Sequence, residues 1–422
     1  MTIIADVQSP KEFAELWDEF HITTKPASNV RHADIEKFVG KLASLGLTVE
    51  EVGRSYGNRG IYQIEWGKGE TRVLMWSQMH GDEPTATSAL IDMFAFLETR
   101  KNELEWVKAL AESVTIRAVP MLNPDGAELF QRRNLQFIDI NRDARRLVTP
   151  EGALLKRLRD DWEPEIGFNL HNQQELTTVG STFKQATNSF LAVSGREDGS
   201  TYEGHERNKR LCSVMIGALN EFIEGNIGRY EDDYNPRAFG DMISRWGTPV
   251  MLIETGGFHG RDESYLIKLN FIAYLTALQS LVDGTQETAD PLDYESLPSN
   301  STGTLFNYIL RKAIIVNFAK SKVPFTADIA INRERRRADQ TPPVFVQEIG
   351  DLDDYKGLDE YDVEDYFVVS TTGLLKIGSR GHLLFYKKAR SINWDVRDLT
   401  KTFAPDGEFK DGLWVKPLGG ER

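Results

Sequence analysis

The stretch "LMWSQMHGDEPTATSAL", Leu74–Leu90, changes within a few residues from an apolar run to a polar turn and then to small residues. The run Thr71–Gln78 has the length and composition of a buried strand. Thr85–Glu98 has a helical pattern, and Pro84 suits the first turn of a helix. The stretch therefore predicts a strand that ends in a polar turn and continues into a helix.

Further apolar runs of strand length follow along the chain, and segments with helical patterns separate them. The other predicted strands are Ile61–Trp66, Ser113–Leu122, Glu165–His171 and Thr248–Glu254. Amphipathic patterns at 10–26 and 32–45 predict helices. Strands that alternate with helices favour an α/β fold with a mostly parallel mixed sheet, covered by helices on both faces. We assign this predicted domain to residues 1–285.

The composition changes near residues 283–303, where Asp, Ser, Pro and Gly are frequent, and this predicts a linker. Residues 300–422 contain many short β-like runs, such as "AIIVNF" and "HLLFY", and predict a small all-β domain. Leu305–Val316 and Ile349–Gly373 resemble parts of the small β-sandwich that accompanies the barrel in amidohydrolases of the urease and dihydroorotase type. This resemblance implies a structural or gating accessory domain, because His382 alone cannot form a metal site. The alternative is an unrelated β-sandwich.

The bulk composition argues against several classes of function. The chain has 422 residues and a formal net charge of −14, which is unfavourable for binding the phosphate backbone of nucleic acids. The single cysteine, Cys212, cannot form an internal disulfide. The N-terminus lacks the pattern of a signal peptide, and no window of about 18 residues is uninterrupted by polar residues. We therefore expect a cytoplasmic protein with no nucleic-acid or membrane partner; its oligomeric state cannot be inferred.

Polar groups stand at the ends of three predicted strands: His80 and Glu83 after the first, His171 at the second and Glu254 at the third. In open parallel sheets, ligands bind beyond the carboxyl ends of the strands. Catalytic zinc commonly takes three protein ligands from His and Glu, plus a water. These residues supply such a set, with a fourth group to take the proton of the water. Hydrogen-bonded structural residues are the alternative, and spacing alone leaves both interpretations open.

A loop rich in arginine follows another predicted strand, from Asn123 to Arg146. It begins with the turn signal "NPDG" and contains the arginine doublet Arg132-Arg133. Fixed guanidinium groups are suited to binding a carboxylate or stabilising an oxyanion. A surface loop with salt bridges is the alternative, but it does not explain why the loop follows this particular strand.

The motifs "HGDE", "NPDG…RRN…DINRD", "NLHN" and "IETGG" occur in the order seen in zinc carboxypeptidases of the carboxypeptidase A type. The chain resembles that family over about residues 30–280. The resemblance implies one Zn²⁺ per chain, held by His80, Glu83 and His171. It also implies that Glu254 acts first as general base and then as general acid.

The same resemblance implies roles for the arginine loop. Arg132 would polarise the scissile carbonyl and stabilise the oxyanion, and it is preferred to Arg133 because the family pattern reads Arg-x-Asn. Asn141 and Arg142 would bind the free carboxylate of the substrate.

The segment before the catalytic glutamate is expected to close over the substrate and to line its side-chain pocket. A tyrosine usually serves as the closing residue, and here we favour Tyr234 over Tyr230. Arg237 in that pocket would suit an acidic substrate side chain. Asn169 stands where relatives commonly have an acidic residue, so an acceptor for the second nitrogen of His171 is expected from elsewhere.

Three functions remain compatible with these motifs. The first is a zinc metallocarboxypeptidase that hydrolyses a C-terminal peptide bond or a related amide. The second is a zinc-dependent N-acyl amino acid deacylase of the aspartoacylase or succinylglutamate desuccinylase type, whose members resemble carboxypeptidases in their zinc ligands and carry a C-terminal β domain. In both cases the substrate, a peptide or an acyl amino acid, has a free carboxylate. The third is a metal-free binding module that kept the fold.

Overall fold

The computed structural model describes residues 7–419, and the chain divides into two compact units, Met1–Ser301 and Thr302–Arg422. Each unit has its own hydrophobic core of buried side chains. All of the site residues that the sequence predicts lie in the first unit.

Helices and strands alternate along the first unit, as the sequence predicts. The helices are α1 (Pro10–Phe20), α2 (His32–Leu45), α3 (Thr85–Arg100), α4 (Glu105–Ser113), α5 (Pro124–Leu129), α6 (Pro150–Asp160), α7 (Glu203–Ile223), α8 (Phe239–Arg245), α9 (Glu263–Asp283), α10 (Thr285–Thr288) and α11 (Leu292–Glu295). The strands are β1 (Thr48–Arg54), β2 (Gly60–Gly67), β3 (Thr71–Ser77), β4 (Val114–Val119), β5 (Ile166–Asn172), β6 (Thr178–Val179), β7 (Asn188–Val193), β8 (Ile227–Arg229), β9 (Val250–Thr255) and β10 (Asn300–Ser301). Short 3₁₀ turns cover Ala27–Asn29 and Ile140–Arg142.

The strands of the first unit build a mixed sheet, whose order within the described residues is β1-β2-β4-β3-β5-β9-β7-β8. Strands β4, β3, β5 and β9 are parallel neighbours, and β1, β2 and β7 add antiparallel pairs. Side chains of β3 alternate between two core clusters, since Met75 belongs to one and Trp76 to the other. Helices α3, α7 and α9 contribute to the first cluster, and α6 and α8 to the second. The prediction of a mostly parallel mixed sheet with helices on both faces is confirmed.

Helix α9 is a core helix of this unit. It has the length and apolar composition of a membrane span, and within residues 7–419 it alone does. However, 67% of its apolar window is buried inside the unit, with Leu269, Phe271 and Leu278 in the main core cluster. Burial against neighbouring helices accounts for its composition.

The segment predicted to be a linker is largely part of the first unit. The hydroxyl of the buried Tyr294 accepts a hydrogen bond from the backbone N–H of Ala192 at 3.1 Å. Arg229 donates from Nη1 to the carbonyl of Glu295 at 2.9 Å, and β10 pairs with β6. These hydrogen bonds fix the segment although its composition is typical of a linker, and the boundary between the units falls after Ser301.

The second unit consists mostly of strands. They are β11 (Leu305–Ile315), β12 (Phe325–Arg333), β13 (Val344–Gly350), β14 (Lys356–Asp362), β15 (Tyr366–Ser370), β16 (Leu383–Lys387), β17 (Gly407–Lys410) and β18 (Leu413–Lys416), with the short helix α12 (Leu399–Thr402). The prediction of an all-β C-terminal region is confirmed.

The strands of the second unit hydrogen-bond into a single sheet among the described residues. Within residues 302–419 its order is β13-β12-β11-β15-β16-β17-β18, and β14 also pairs with β11. The segment before β16 hydrogen-bonds back to β13, through Val346 N–H to the Ser379 carbonyl and Gly381 N–H to the Val344 carbonyl, both at 2.9 Å. One main core cluster is formed mostly by side chains of these strands. Whether the sheet folds into the two packed layers of a sandwich stays a prediction.

Candidate active site

The predicted site residues lie where adjacent parallel strands of the first sheet end. Strand β5 lies between β3 and β9 and runs parallel to both. His171 and Glu254 are direct partners in the β5–β9 ladder, so their side chains point to the same face of the sheet. His80 and Glu83 lie in the turn between β3 and α3. The topology therefore brings all four residues to the same edge of the sheet.

The turn between β3 and α3 has an unusual backbone. Gln78 is buried and has a φ of 51°, in the left-handed region that non-glycine residues rarely adopt. Its amide donates to the Gly81 carbonyl at 2.9 Å and accepts from the Thr87 hydroxyl at 2.9 Å. A Cβ at Gly81 would lie 1.9 Å from the carbonyl carbon of Gly126. The turn thus requires glycine at position 81 because the start of the arginine loop lies directly against it.

Glu83 lies between the two histidines. Its Oε1 is 2.9 Å from Nδ1 of His80, and its Oε2 is 2.7 Å from Nδ1 of His171. All three side chains are buried, and one donor atom from each lies within 4.8 Å of the others. A tetrahedral Zn²⁺ has bonds of about 2.0–2.2 Å to such nitrogen and oxygen donors. This buried His-Glu-His set therefore fits a single Zn²⁺ and leaves a fourth position for water.

The ionisation of these groups also suits a cation. Burial opposes charging of the His80 ring, but Glu83 and Asp139 outweigh it and raise the pKa of His80 to about 9. Burial lowers the pKa of His171. Burial alone would raise the pKa of Glu83, but the two imidazoles hold it well below its ordinary value. Metal binding needs an ionised carboxylate and neutral imidazoles, so a cation would replace the proton that His80 otherwise holds.

Asp139 is a site residue that the sequence analysis missed. Its Oδ1 lies 3.0 Å from Nε2 of His80, and its Oδ2 accepts from Nε of Arg132 at 3.0 Å. Burial opposes ionisation, yet His80 and Arg132 hold the pKa of Asp139 below its ordinary range. A carboxylate on the second imidazole nitrogen typically orients a metal-binding histidine. The signal was present in the "DIN" segment, two residues before Asn141.

His171 lacks a corresponding acceptor. Among residues 7–419, its Nε2 is buried without a hydrogen-bond partner, and the same holds for Oδ1 of Asn169. The two side chains lie two positions apart on β5 and therefore on the same face. The acceptor expected from elsewhere is thus not found in the part of the chain that the structure describes.

The two arginines of the doublet have different environments. Nη1 of Arg132 lies 3.2 Å from Nδ1 of His80 and 3.4 Å from Oε1 of Glu83. Both side chains are exposed, but Arg133 donates instead to the backbone carbonyl of Phe137. The geometry therefore favours Arg132 as the arginine of the site.

Asn141 and Arg142 belong to the 3₁₀ turn within the arginine loop, and this turn hydrogen-bonds to the start of α8. Oδ1 of Asn141 accepts from the Phe239 N–H at 2.8 Å, and Arg142 donates to the carbonyl of Asn141 at 2.6 Å. Arg237 is exposed and donates to the Arg142 carbonyl at 3.3 Å. In α8, burial raises the pKa of Asp241 to about 6, although the positive charge of Arg142 partly offsets this effect.

The two candidate tyrosines have different surroundings. Partial burial raises the pKa of Tyr230, and the negative charges of Glu254 and Glu83 raise it further. The Tyr234 hydroxyl accepts a hydrogen bond from Arg245 at 2.6 Å. Which of the two tyrosines closes over the substrate stays a prediction.

Comparison with known proteins agrees with this geometry. Residues 35–225 match the family model described as zinc carboxypeptidase. This part of the chain is similar to the zinc carboxypeptidase family. The zinc carboxypeptidase match includes the His-Glu-His set and the arginine loop but ends before Tyr230 and Glu254.

Fungal carboxypeptidases are similar to part of this chain. The protein named "Probable carboxypeptidase 2" from Arthroderma benhamiae is 30% identical over 112 residues, which is 26% of this chain and 20% of the relative. Carboxypeptidase 2 of Trichophyton rubrum is 29% identical over 100 residues, 24% of this chain and 18% of that protein. The chain thus matches about a fifth of the length of these relatives.

A solved structure supports the fold. A carboxypeptidase A-like protein from Shewanella denitrificans OS-217 is similar with a TM-score of 0.50 and 13% identity, covering 60% of this chain and 69% of that one. The first unit therefore has the carboxypeptidase fold.

Proposed function

We propose that this chain is a zinc-dependent metallocarboxypeptidase that hydrolyses a C-terminal peptide bond. One observation carries the proposal: the buried donors of His80, Glu83 and His171 lie within 4.8 Å of one another, at a strand end that also bears Glu254. The match of residues 35–225 to the zinc carboxypeptidase model supports zinc as the metal. In this proposal the side chains of the protein bind the metal, orient the substrate and transfer protons.

The proposed mechanism assigns a separate task to each side chain. Bound zinc lowers the pKa of a water molecule and polarises the scissile carbonyl. Glu254 takes the proton from the attacking water and returns it to the leaving amine. Arg132 directs its positive charge toward the carbonyl oxygen, where negative charge develops.

Two further groups would hold the substrate. Asn141 and Arg142 bind its free carboxylate, which selects for a chain terminus, and a guanidinium can bind a carboxylate through two parallel hydrogen bonds. Tyr230 covers the substrate from the segment after β8. Because Oδ1 of Asn141 already accepts from Phe239 N–H, its amide nitrogen is the group directed to the substrate in this proposal.

The experiment begins with the metal. Protein purified in zinc should contain one zinc ion per chain, and a chelator should remove the ion and lower the melting temperature, because binding to the folded state stabilises it. A sample that binds no zinc and melts unchanged in chelator would contradict the proposal and favour a metal-free binding module.

Substrate class is tested with a panel. Peptides that end in acidic, basic or aromatic residues are compared with N-acyl amino acids, and release of the C-terminal amino acid is measured. Cleavage of the peptides supports a carboxypeptidase. Exclusive cleavage of the N-acyl amino acids would replace it by the deacylase of the aspartoacylase or succinylglutamate desuccinylase type.

The general base is tested with Glu254→Gln. Loss of proton transfer should lower kcat by about 10²–10⁴-fold while zinc remains bound. Zinc content measured on the same sample is the control, because a variant that has lost the metal reports nothing about the base. Retained activity in zinc-loaded Glu254→Gln would remove Glu254 from this role.

A further inference from the structure

Asn172, the residue after His171, makes hydrogen bonds that extend across the sheet end. Its side chain is buried. Oδ1 accepts from the Thr85 N–H at 3.2 Å, and Nδ2 donates to the Thr85 hydroxyl at 2.8 Å and to the Thr255 carbonyl at 3.0 Å. A single amide thus joins the start of α3, the end of β5 and the end of β9.

The residues that Asn172 contacts are close in sequence to Glu83 and Glu254. Thr85 lies two residues after the carboxylate of the metal site, and Thr255 directly follows the proposed general base. The backbone N–H of Asn172 also donates to Oε2 of Glu83 at 3.2 Å, the same oxygen that lies 2.7 Å from Nδ1 of His171. The relative positions of the metal donors and the base therefore depend on this residue.

The hydrogen bonds continue into the core behind the site. The Thr255 hydroxyl accepts from Nδ2 of Asn270 at 2.9 Å, and Oδ1 of Asn270 accepts from the Tyr274 hydroxyl at 2.8 Å. These side chains are all buried. Buried polar groups are costly to leave unpaired, so the network holds the strand end rigidly against α9.

We propose that Asn172 is a positioning residue that sets the spacing between the zinc donors and Glu254. This inference rests on the proposed function, because it uses the roles assigned there to the zinc donors and Glu254. Asn172 itself is assigned no contact with substrate. A core asparagine that merely satisfied its own hydrogen bonds would affect stability alone. A positioning residue also affects metal affinity and kcat, because metal sites depend on the groups that orient their ligands.

The first test compares two buried asparagines. Asn172→Ala is measured beside Asn208→Ala, whose amide in α7 is fully buried and has no hydrogen-bond partner among the described residues. The zinc dissociation constant is measured by chelator competition at fixed pH, and kcat and KM at saturating zinc. We expect Asn172→Ala to raise the dissociation constant about tenfold or more and to lower kcat more than it changes KM. Asn208→Ala should stay within about twofold of the wild type.

The second test uses Thr85 and remains informative if Asn172→Ala does not fold. Thr85→Val removes only the hydroxyl that Nδ2 contacts, and Thr85→Ser keeps it. Thr85→Val should weaken zinc binding about threefold, Thr85→Ser should not, and Thr85→Val should add no further loss in the Asn172→Ala background.

The outcomes separate this inference from the proposed function. If Asn172→Ala lowers the melting temperature but leaves the zinc affinity unchanged, the positioning role is overturned. Unchanged zinc affinity is the result expected for the control, Asn208→Ala. Equal zinc affinity in Thr85→Val and Thr85→Ser would overturn it as well. If the wild type binds zinc but hydrolyses no substrate, the proposed function fails, and the zinc dissociation constants alone decide whether Asn172 positions the metal donors. If the wild type binds no zinc, both fail.

Discussion

Two charged clusters, one around Arg311 in the second unit and one around Glu83 in the first, differ in how completely protein groups hydrogen-bond their polar atoms. In the second unit, Arg311 donates five hydrogen bonds: from Nε to Glu360 at 3.2 Å, from Nη1 to Asp328 and to the Leu352 carbonyl at 2.8 Å, and from Nη2 to the Tyr355 carbonyl at 2.7 Å and to Glu360 at 3.0 Å. A guanidinium has five N–H donors, so protein groups satisfy all of them.

In the first unit, by contrast, the charges share a single small space. Two imidazoles converge on the Glu83 carboxylate, and within residues 7–419 Nε2 of His171 has no partner at all. Buried polar groups are normally paired, because leaving them unpaired costs free energy. A cluster that satisfies itself is a structural support, whereas a converging cluster that does not is suited to a ligand. The difference in satisfaction, and not the number of charges, distinguishes the two.

The largest effect that tests this comparison is expected at Arg132. Arg132→Met removes the charge aimed at the developing oxyanion and should lower kcat by about 10²–10³-fold. Arg133→Met is the matched control, because that exposed side chain contacts only a neighbouring carbonyl among the hydrogen bonds described, and it should stay within about twofold. Steady-state kinetics on the best peptide measures both, and equal losses in the two variants would show that the doublet acts through general charge.

Arg311 should affect stability and nothing else. Arg311→Met removes the cation of Asp328 and leaves Glu360 with Lys356 alone, at 3.3 Å, and should lower the free energy of unfolding by about 2–3 kcal/mol. Lys312→Met, on a more exposed pair with Asp362, is the control and should cost less than about 1 kcal/mol. Urea unfolding measures the change, and zinc titration accompanies it. A loss of zinc affinity in Arg311→Met would break the distinction between the two clusters.

Asp139→Asn tests the orientation of His80. The amide keeps the shape but removes the charge that accepts from Nε2, so the zinc dissociation constant should rise about 10–100-fold. Chelator competition measures the constant, and the melting temperature of the zinc-free protein serves as the reference for folding. Unchanged affinity would mean that packing alone fixes the ring.

The smallest effect is expected at Asp241, because burial raises the pKa of its carboxyl in the folded protein to about 6, above the ordinary value of 3.8. The folded protein therefore binds this proton more tightly than the unfolded chain, and the stability due to it is lost as the pH rises through 6. Asp241→Asn removes that loss, so in chelator the variant should be about 1–2 kcal/mol more stable than the wild type at pH 8 and nearly equal at pH 4. Urea unfolding at the two pH values checks the sign, and a stabilisation of the same size at both would contradict it.

The parts of the fold that depend on local pattern were predictable. The apolar strand before "MHGDEP" and the small-residue helix after it appear as β3 and α3, because burial on both faces and a proline at the first turn are local signals. The convergence of His80, Glu83 and His171 followed from placing them at the ends of parallel strands. The pairing of Glu254 with His171 depends on the order of the strands in the sheet, which the pattern of each strand does not give.

Other features depend on contacts between distant residues, and the sequence could not provide them. Asp139 stands 59 positions from His80 along the chain, and the amide of Asn172 bonds to residues 87 and 83 positions away. The choice between Tyr230 and Tyr234 depends on the irregular segment before α8, which has no periodic pattern. The segment 283–303 has a linker composition, yet the Tyr294 hydroxyl anchors it to β7.

The close approach of Gly81 to Gly126 has a consequence for protein engineering. Because these two backbones lie in contact, the turn that carries His80 and Glu83 forms a single module with the arginine loop. The two glycines are nevertheless 45 positions apart along the chain. Exchanging the arginine loop for that of a known carboxypeptidase would transplant a surface shaped to fit a different turn. Successful grafts should therefore carry both segments together, and libraries that vary the loop alone should yield mostly proteins with displaced metal donors.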